Sequence, residues 1–363
     1  MYIKIVSMLF LYSLLLNSAD MNNLSQPLSI QLNSFYPAQD DNVDYKLADG
    51  WPNPYPRWVR DEITYMYPNE GNPKELIHAY SQRAPNIYMG VGSERIFIGA
   101  ALTKALRAIF LDNDPEATLF NRVNIALLAV CNDMDDFLDL RLSSGLEIWK
   151  SRAKNYDKNN PDMGLLSRYV SYLHDSEVFV WWNDNVRSKK IINAGKPGTN
   201  ELLVAMHENN KKYFEEANYL YDKNLFAHVH QLAKSGNMVA LHMNLAGKKS
   251  FAMLLKQLRD LGIDVDLFDI SNAWESKKNY LKVENVNQLG KLLANTSTTI
   301  LCTVFWTDLN EWQSHAMSGR RQDDLRFWHY FSLPPDRFKN QTLYQAILEE
   351  IKSSTGESYK LKD

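Results

Sequence analysis

The chain has 363 residues, 45% of them hydrophobic and 23% charged, with a net charge of −3. Those values exclude a disordered or fibrous polymer, and the absence of a dense basic stripe argues against a general nucleic-acid binder. The length suffices to bury a sizeable core in one large domain or two smaller ones.

The first residues read MYIKIVSMLFLYSLLLNSAD. Lys4, an apolar run from Ile5 to Leu16, and the small pair Ser18-Ala19 follow the grammar of a signal peptide. The run is too short to span a bilayer comfortably. Export to the periplasm or medium is the expectation; a membrane-dipping anchor or a start at Met21 are the alternatives, the last leaving the protein cytoplasmic. No later stretch is long and apolar enough to cross a membrane, so the mature chain is expected to carry no stable span. Residues 21–50 are polar and read as an exposed lead-in. From Gly50 to Pro73, five prolines among several aromatics forbid a long helix, and the segment reads as a wrap around a domain edge. Lys74–Gln82 reads as a short helix.

The most informative stretch is NIYMGVGSERIFIGAALTKALRAIFLDND, Asn86 to Asp114. An apolar run, Ile87–Met89, meets the glycine-spaced turn Gly90-Val91-Gly92. An amphipathic segment follows, then a second apolar run, Ala108–Leu111, closed by Asp112. The order strand, tight loop, helix, strand, acid is the first half of a nucleotide-binding βαβ unit. Glycine allows the sharp turn and a ligand's close approach to the backbone. Asp112 stands 20 residues after Gly92, where a carboxylate at the strand end can accept from both ribose hydroxyls. A dinucleotide fingerprint wants a third glycine where this chain has Arg95, which argues against a diphosphate ligand and an NAD-dependent oxidoreductase.

Pro115 is placed for the first turn of a helix running through Phe120, Val123 and Leu127. From about Asn132 to Lys234 the chain is polar-amphipathic with helical periodicity in pieces, around Phe137, Leu138 and Leu142 and again around Tyr213, Phe214 and Tyr219. It has one strand-like island, Glu177–Trp182, and one loop, Asn193–Thr199. It is too long for a single crossover and reads as a helical insertion suited to substrate selection. An α/β rhythm then resumes: strand Met238–Met243, turn Asn244–Gly247, helix Lys248–Leu261, strand Val265–Ile270, helix Val286–Ala294, strand Thr298–Phe305. Such alternation implies a mostly parallel sheet flanked by helices, with ligands outside the carboxyl ends of its strands. That brings Gly90–Glu94, Asp112, Asn244 and Ser271-Asn272 around one crevice.

Laid out this way, residues 84–306 resemble a class I S-adenosylmethionine-dependent methyltransferase domain. MGVGSE is similar to the family's glycine loop, Asp112 matches its ribose-holding acid, ALHMNLAG resembles its third-strand segment, and FDISNAW its fourth-strand motif. GVGSE, NLAG and ISNAW resemble more closely an uncharacterised bacterial branch with methyltransferase-like folds. The resemblance implies a Rossmann-like methyltransferase-type α/β fold carrying the insertion at about 132–235, with S-adenosylmethionine as the cofactor. It implies cofactor contacts from Gly90, Val91, Gly92, Ser93, Glu94, Asp112, Asn113, Asn244, Leu245 and Ser271, and makes Asn272 and Ser271 the candidates to orient a methyl acceptor of unknown identity. The sequence departs from the family where Tyr88 and Met89 replace the acid before the loop, Glu94 replaces the third glycine, and Asn244 replaces an acid. These changes leave room for a non-catalytic binding or effector protein on the same fold. The implied organisation is a signal or anchor at 1–19, a wrap segment at 20–80, the Rossmann-like domain at 81–306 and a C-terminal extension at 307–363.

The remaining chemistry-bearing residues read as structural. Cys131 and Cys302 sit in apolar stretches without metal or redox spacing. His228 and His230 point to different helix faces, and His242 reads as a core histidine. Asp133, Asp135 and Asp136 read as a helix terminus, Trp274 as core, and Arg320-Arg321 with Asp323-Asp324 as a surface turn. No metal site is expected.

Overall fold

In a computed structural model, the chain is described at residues 26–35, 73–81, 83–187, 217–245, 247, 249–271, 273–274, 283–305 and 328–355. The two apolar runs around the glycine turn form β1 (Ile87–Val91) and β2 (Arg107–Asp112), each buried on both faces, as central parallel strands must be. They pair in parallel, Met89 opposite Ile109 and Val91 opposite Leu111. β3 (Met238–His242) lies outside β2, while β4 (Leu267–Ser271) and β5 (Thr299–Phe305) extend the sheet on the other side of β1. The six-stranded order is β3-β2-β1-β4-β5-β6, with β6 (Trp328–Leu333) antiparallel to β5. The strand order reverses direction between β1 and β4, the switch point at which ligands bind on open α/β sheets. The fold is therefore the expected Rossmann-like, mostly parallel α/β arrangement with added helices.

Helices cover the sheet. α1 (Leu28–Gln31), α2 (Pro73–Ser81), α3 (Glu94–Thr103) and α4 (Pro115–Val130) come first. Pro115 opens α4 as its spacing predicts, and Asp114 caps the helix by accepting from the Glu116 backbone N–H at 2.8 Å. The insertion contributes α5 (Met134–Leu142), α6 (Leu146–Asn159), α7 (Leu165–Ser171), α8 (Ser176–Trp182) and α9 (Lys223–Lys234). Then follow α10 (Ser250–Asp260), α11 (Val283–Leu293), α12 (Asp336–Lys339) and α13 (Leu343–Thr355).

Three expectations are corrected. The strand-like island is α8: Asp175 accepts from the backbone N–H of Glu177 and Val178, and Trp182 turns to the core while Val180 stays exposed. The cap and an i,i+3 face shared by Phe179 and Trp182 outweigh the β-branched composition. Within the supposedly exposed lead-in, Leu28, Leu32 and Phe35 are buried, and the Ser29 N–H donates to the Gly236 carbonyl at 2.8 Å. The sheet also continues past residue 306, because β6 pairs with β5 from Ile300↔Leu333 to Phe305↔Trp328. The N-terminal signal, the proline-rich wrap, Tyr213 and Phe214, the Asn193–Thr199 loop, Asn272, Glu275 and the Arg320–Asp324 turn lie outside the described residues.

The insertion has a mechanical task at the sheet edge. β3 is the outermost strand on its side, and an open edge leaves backbone groups without a ladder. The Tyr169 hydroxyl from α7 donates to the Ala240 carbonyl at 2.9 Å and accepts from the Ala240 N–H at 3.2 Å. Arg122 Nε adds a second donor to the same carbonyl at 3.2 Å. One phenol thus does at Ala240 what a neighbouring strand would do.

Candidate functional site

The glycine loop joins β1 to α3. Gly92 has φ +116°, a conformation that favours glycine, and among the described residues a Cβ built there would meet nothing within 4 Å. Gly90 is different: a Cβ there would lie 2.7 Å from Ile96 Cγ2, so its task is packing. The close helix-to-strand approach usually bought by a third fingerprint glycine is supplied instead by Gly99, one turn into α3. A Cβ there would overlap the Tyr88 ring and lie 2.8 Å from Tyr80 Cε1.

The residues at the third-glycine position face inward. Glu94 is fully buried and its Oε2 accepts from Arg141 Nη2 of α5 at 2.6 Å. Arg141 also donates to Asn124 Oδ1 at 3.0 Å and to the Tyr219 hydroxyl at 3.1 Å. Glu94, expected from the resemblance to contact a cofactor, uses its carboxylate to hold the inserted helix α5 against the loop. Arg95 reaches beneath β1 to β4, where Nη2 pairs with Asp269 Oδ1 and donates to the Tyr80 hydroxyl, at 3.0 and 2.9 Å. Its Nη1 donates to Ser271 Oγ and, at 3.3 Å, to Thr303 Oγ1. Asp269 accepts further from the hydroxyls of Tyr80 and Tyr88 and from the Ser271 N–H. Burial holds both phenols well above their ordinary range. Ser271, offered by sequence as a candidate to orient an acceptor, has its hydroxyl engaged by Arg95 and its backbone at φ 54°. These contacts make Ser271 part of the lock that shapes the end of β4.

On the other side of the loop stands Asp112, half-buried at the end of β2. The Gly92 N–H donates to the Leu111 carbonyl at 3.2 Å, so loop and acid are neighbours. Asp112 Oδ1 accepts from the Asp114 N–H at 2.8 Å, which fixes the orientation of the carboxylate. Burial, reinforced by the Asp114 charge, pushes the Asp112 carboxyl up to about 7. Asp114 is raised as well, again through burial. Asn113 and Asn244 are half-buried beside them, as is Leu245. His242, read from sequence as a core histidine, instead ends β3 half-exposed and opposite Asp112. Its Nε2 lies 3.0 Å from the Asn113 carbonyl. A carbonyl only accepts, so Nε2 carries the proton.

Sequence reasoning missed one residue of this site. Asn121, on the first turns of α4 and 1% exposed, donates from Nδ2 to the Gly92 carbonyl at 2.8 Å. Its Oδ1 is buried without a hydrogen-bond partner among the described residues, as is Ser93 Oγ. A polar residue six positions after a helix-opening proline, on the face that otherwise buries Ala117 and Phe120, was the available signal.

The other titratable groups are satisfied elsewhere. His228 and His230 contact the carbonyls of Ala105 and Cys131 at 2.9 and 3.1 Å. Asp133 caps α5 and Asp136 pairs with Arg152. Cys131 and Cys302 are free and buried, and burial pushes the Cys131 thiol up to about 12. Trp274 is core and donates to the Thr303 carbonyl at 2.9 Å. Among the described residues no group of acids, histidines and cysteines could hold a metal, and no helix is long and apolar enough to cross a membrane.

Comparison with known proteins gives a family and a loose structural likeness. Residues 65–356 match the family described as Domain of unknown function (DUF7790). Among solved structures, the rRNA methyltransferase aviRa from Streptomyces viridochromogenes is 12% identical, with 78% of this chain and 80% of that chain covered and a TM-score of 0.28. An overlap that loose carries no functional inference. No curated protein matches the sequence.

Proposed function

We propose a nucleoside-cofactor role for this chain, which belongs to the DUF7790 family: it is a methyltransferase-like protein that binds S-adenosylmethionine at the carboxyl ends of β1 and β2, with the methyl acceptor unidentified. The observation that carries the reading is the pairing of Gly92, open where a Cβ would stand, with an oriented carboxylate on the adjacent strand. An open glycine lets a ligand lie against the backbone, and Asp112 supplies an acceptor for the two ribose hydroxyls. Asn244 offers a side-chain oxygen that can accept from an adenine amine. When bound, this cofactor supplies an activated methyl group for in-line displacement. The chain's own contribution to such a reaction is alignment of the two reactants, which needs no nucleophile from the protein.

A thermal-shift panel tests the reading. S-adenosylmethionine and S-adenosylhomocysteine are expected to raise the unfolding temperature of the wild type and NAD is not, because Arg95 takes the place of the third fingerprint glycine. Ligand at about 100 times Kd stabilises by about 2.7 kcal/mol, well within detection. A shift from NAD alone, or from none of the three, overturns it. The second reading is a non-catalytic binding or effector protein on the same fold. Supporting it are the engagement of Ser271 by Arg95, the amide at Asn244 where an acid is usual, and the signal-like N-terminus, since the methyl donor is a cytosolic metabolite.

A further inference from the structure

Resting on the nucleoside reading, we infer that Arg95 and Ser271 form a strained latch that couples occupancy of the glycine loop to the turn closing β4. Three departures from regular structure meet at Ser271. Its φ of 54° lies in the left-handed region, in a residue that is not glycine. The pairing with β5 slips between Asp269 and Ser271, so that Asp269 faces Leu301 and Ser271 faces Cys302. The Ser271 N–H donates to a side chain, Asp269 Oδ1, at 2.9 Å. The strand then ends in a turn, which the Ala273 N–H closes by donating to the Ile270 carbonyl at 3.0 Å. Ser271 is the second residue of that turn, where a positive φ is ordinarily met by glycine. Bulges and left-handed backbone at other residues gather beside functional sites and in switch regions.

The hydroxyl explains why serine stands there. Arg95, in the first turn of α3 and three residues beyond Gly92, closes a ring on Ser271. Its Nη1 donates to Ser271 Oγ, and its Nη2 donates at 3.0 Å to the same Asp269 Oδ1 that takes the Ser271 N–H. All three residues are buried, so these bonds form largely out of water, where a charged donor is strongest. Two tendencies oppose each other at one residue: the backbone favours release and the guanidinium favours closure. A joint of that kind has two arrangements close in energy, which is what coupling between sites requires. A ligand lying along Gly92 fixes the loop from which Arg95 projects, and so favours the closed arrangement. Occupancy on the β2 side of the switch point is thereby felt at the end of β4. Arg95 and Ser271 are positioning residues in this reading and act without touching the nucleoside.

The test is hydrogen exchange at the Ala273 amide in wild type, Ser271→Ala and Ser271→Gly, without ligand and with saturating S-adenosylhomocysteine, binding itself being followed by calorimetry. The Ala346 amide of α13, which donates to the Thr342 carbonyl at 3.0 Å, reports any global stabilisation by the ligand. Without ligand, Ser271→Ala loses the Arg95 bond and keeps the strain, so exchange at Ala273 is expected to quicken. Ser271→Gly loses both and is expected to exchange more slowly than Ser271→Ala. With ligand bound, exchange at Ala273 in the wild type is expected to slow by at least about fivefold beyond that at Ala346, the lower end of ordinary coupling between sites. Both variants are expected to lose that excess. Equal exchange in ligand-free wild type and Ser271→Ala, or faster exchange in Ser271→Gly than in Ser271→Ala, overturns the latch. Bound ligand with no excess slowing in the wild type, or with the same excess in the variants, overturns the coupling and leaves the nucleoside reading standing. No binding to the wild type removes the nucleoside reading and the coupling together, while the ligand-free comparison still decides the latch.

Discussion

A carboxylate that grips a ribose has to be ionised, and the Asp112 carboxyl is pushed up to about 7 by burial and by Asp114. Affinity for a ribose-bearing ligand is therefore expected to fall below about pH 7, by at most about tenfold per pH unit; titrations at pH 6 and 8 check this, and a flat profile contradicts it. The same shift sets a stability effect. The native carboxyl keeps its proton to higher pH than an unfolded aspartate, so the wild type loses stability as pH rises from about 4 to about 7. Asp112→Asn removes that loss, and its advantage in urea unfolding should grow between pH 5 and pH 8. Asp114 is shifted in the same direction and keeps part of the slope. Arg95 and Asp269 make the opposite point, that a buried pair is costly to break from one side. Arg95→Ala should cost about 3–5 kcal/mol, read as a lower urea midpoint. Asp112 was legible because a strand-end acid sits at a fixed chain distance from its loop. Glu94 and Arg95 were not, because their partners lie 47 and 174 residues away, and no local pattern reports a pair closed by the fold.

Among the elements, α3 shows how packing overrides propensity. An alanine in a helix interior gains about 1 kcal/mol over glycine, yet Gly99→Ala should destabilise, because its Cβ would strike the Tyr88 ring across the helix–strand contact. A raised melting temperature for Gly99→Ala contradicts that contact. The edge of β3 gives a second case. Tyr169→Phe deletes the hydroxyl that serves both backbone groups of Ala240, at an expected cost of about 1–3 kcal/mol. Hydrogen exchange at the Ala240 amide should quicken in that variant. Alternation of apolar runs and helical periods was enough to place five strands. It failed at α8, where the run EVFVWW has strand composition and the deciding signal was the preceding Asp175. It also missed β6, whose WHYFSL is short and mixed and becomes a strand by pairing along β5.

For the molecule as a whole, the glycine loop is held from three directions. Glu94 fastens it to the inserted helix α5, Arg95 to the end of β4, and Asn121 to the start of α4. Such a loop is pre-organised, so the entropy of ordering it is met on folding and not on binding. That is the arrangement expected of a binding site, and it gives the insertion a task distinct from the substrate selection that its length suggested. The most direct test is calorimetric titration of S-adenosylhomocysteine at pH 8 into wild type and into Asp112→Ala, with matched unfolding temperatures showing that both are folded. The account predicts saturable one-to-one binding to the wild type and a loss of at least about tenfold, ~1.4 kcal/mol, in the variant. Equal affinity in the two proteins, or none in the wild type, contradicts it.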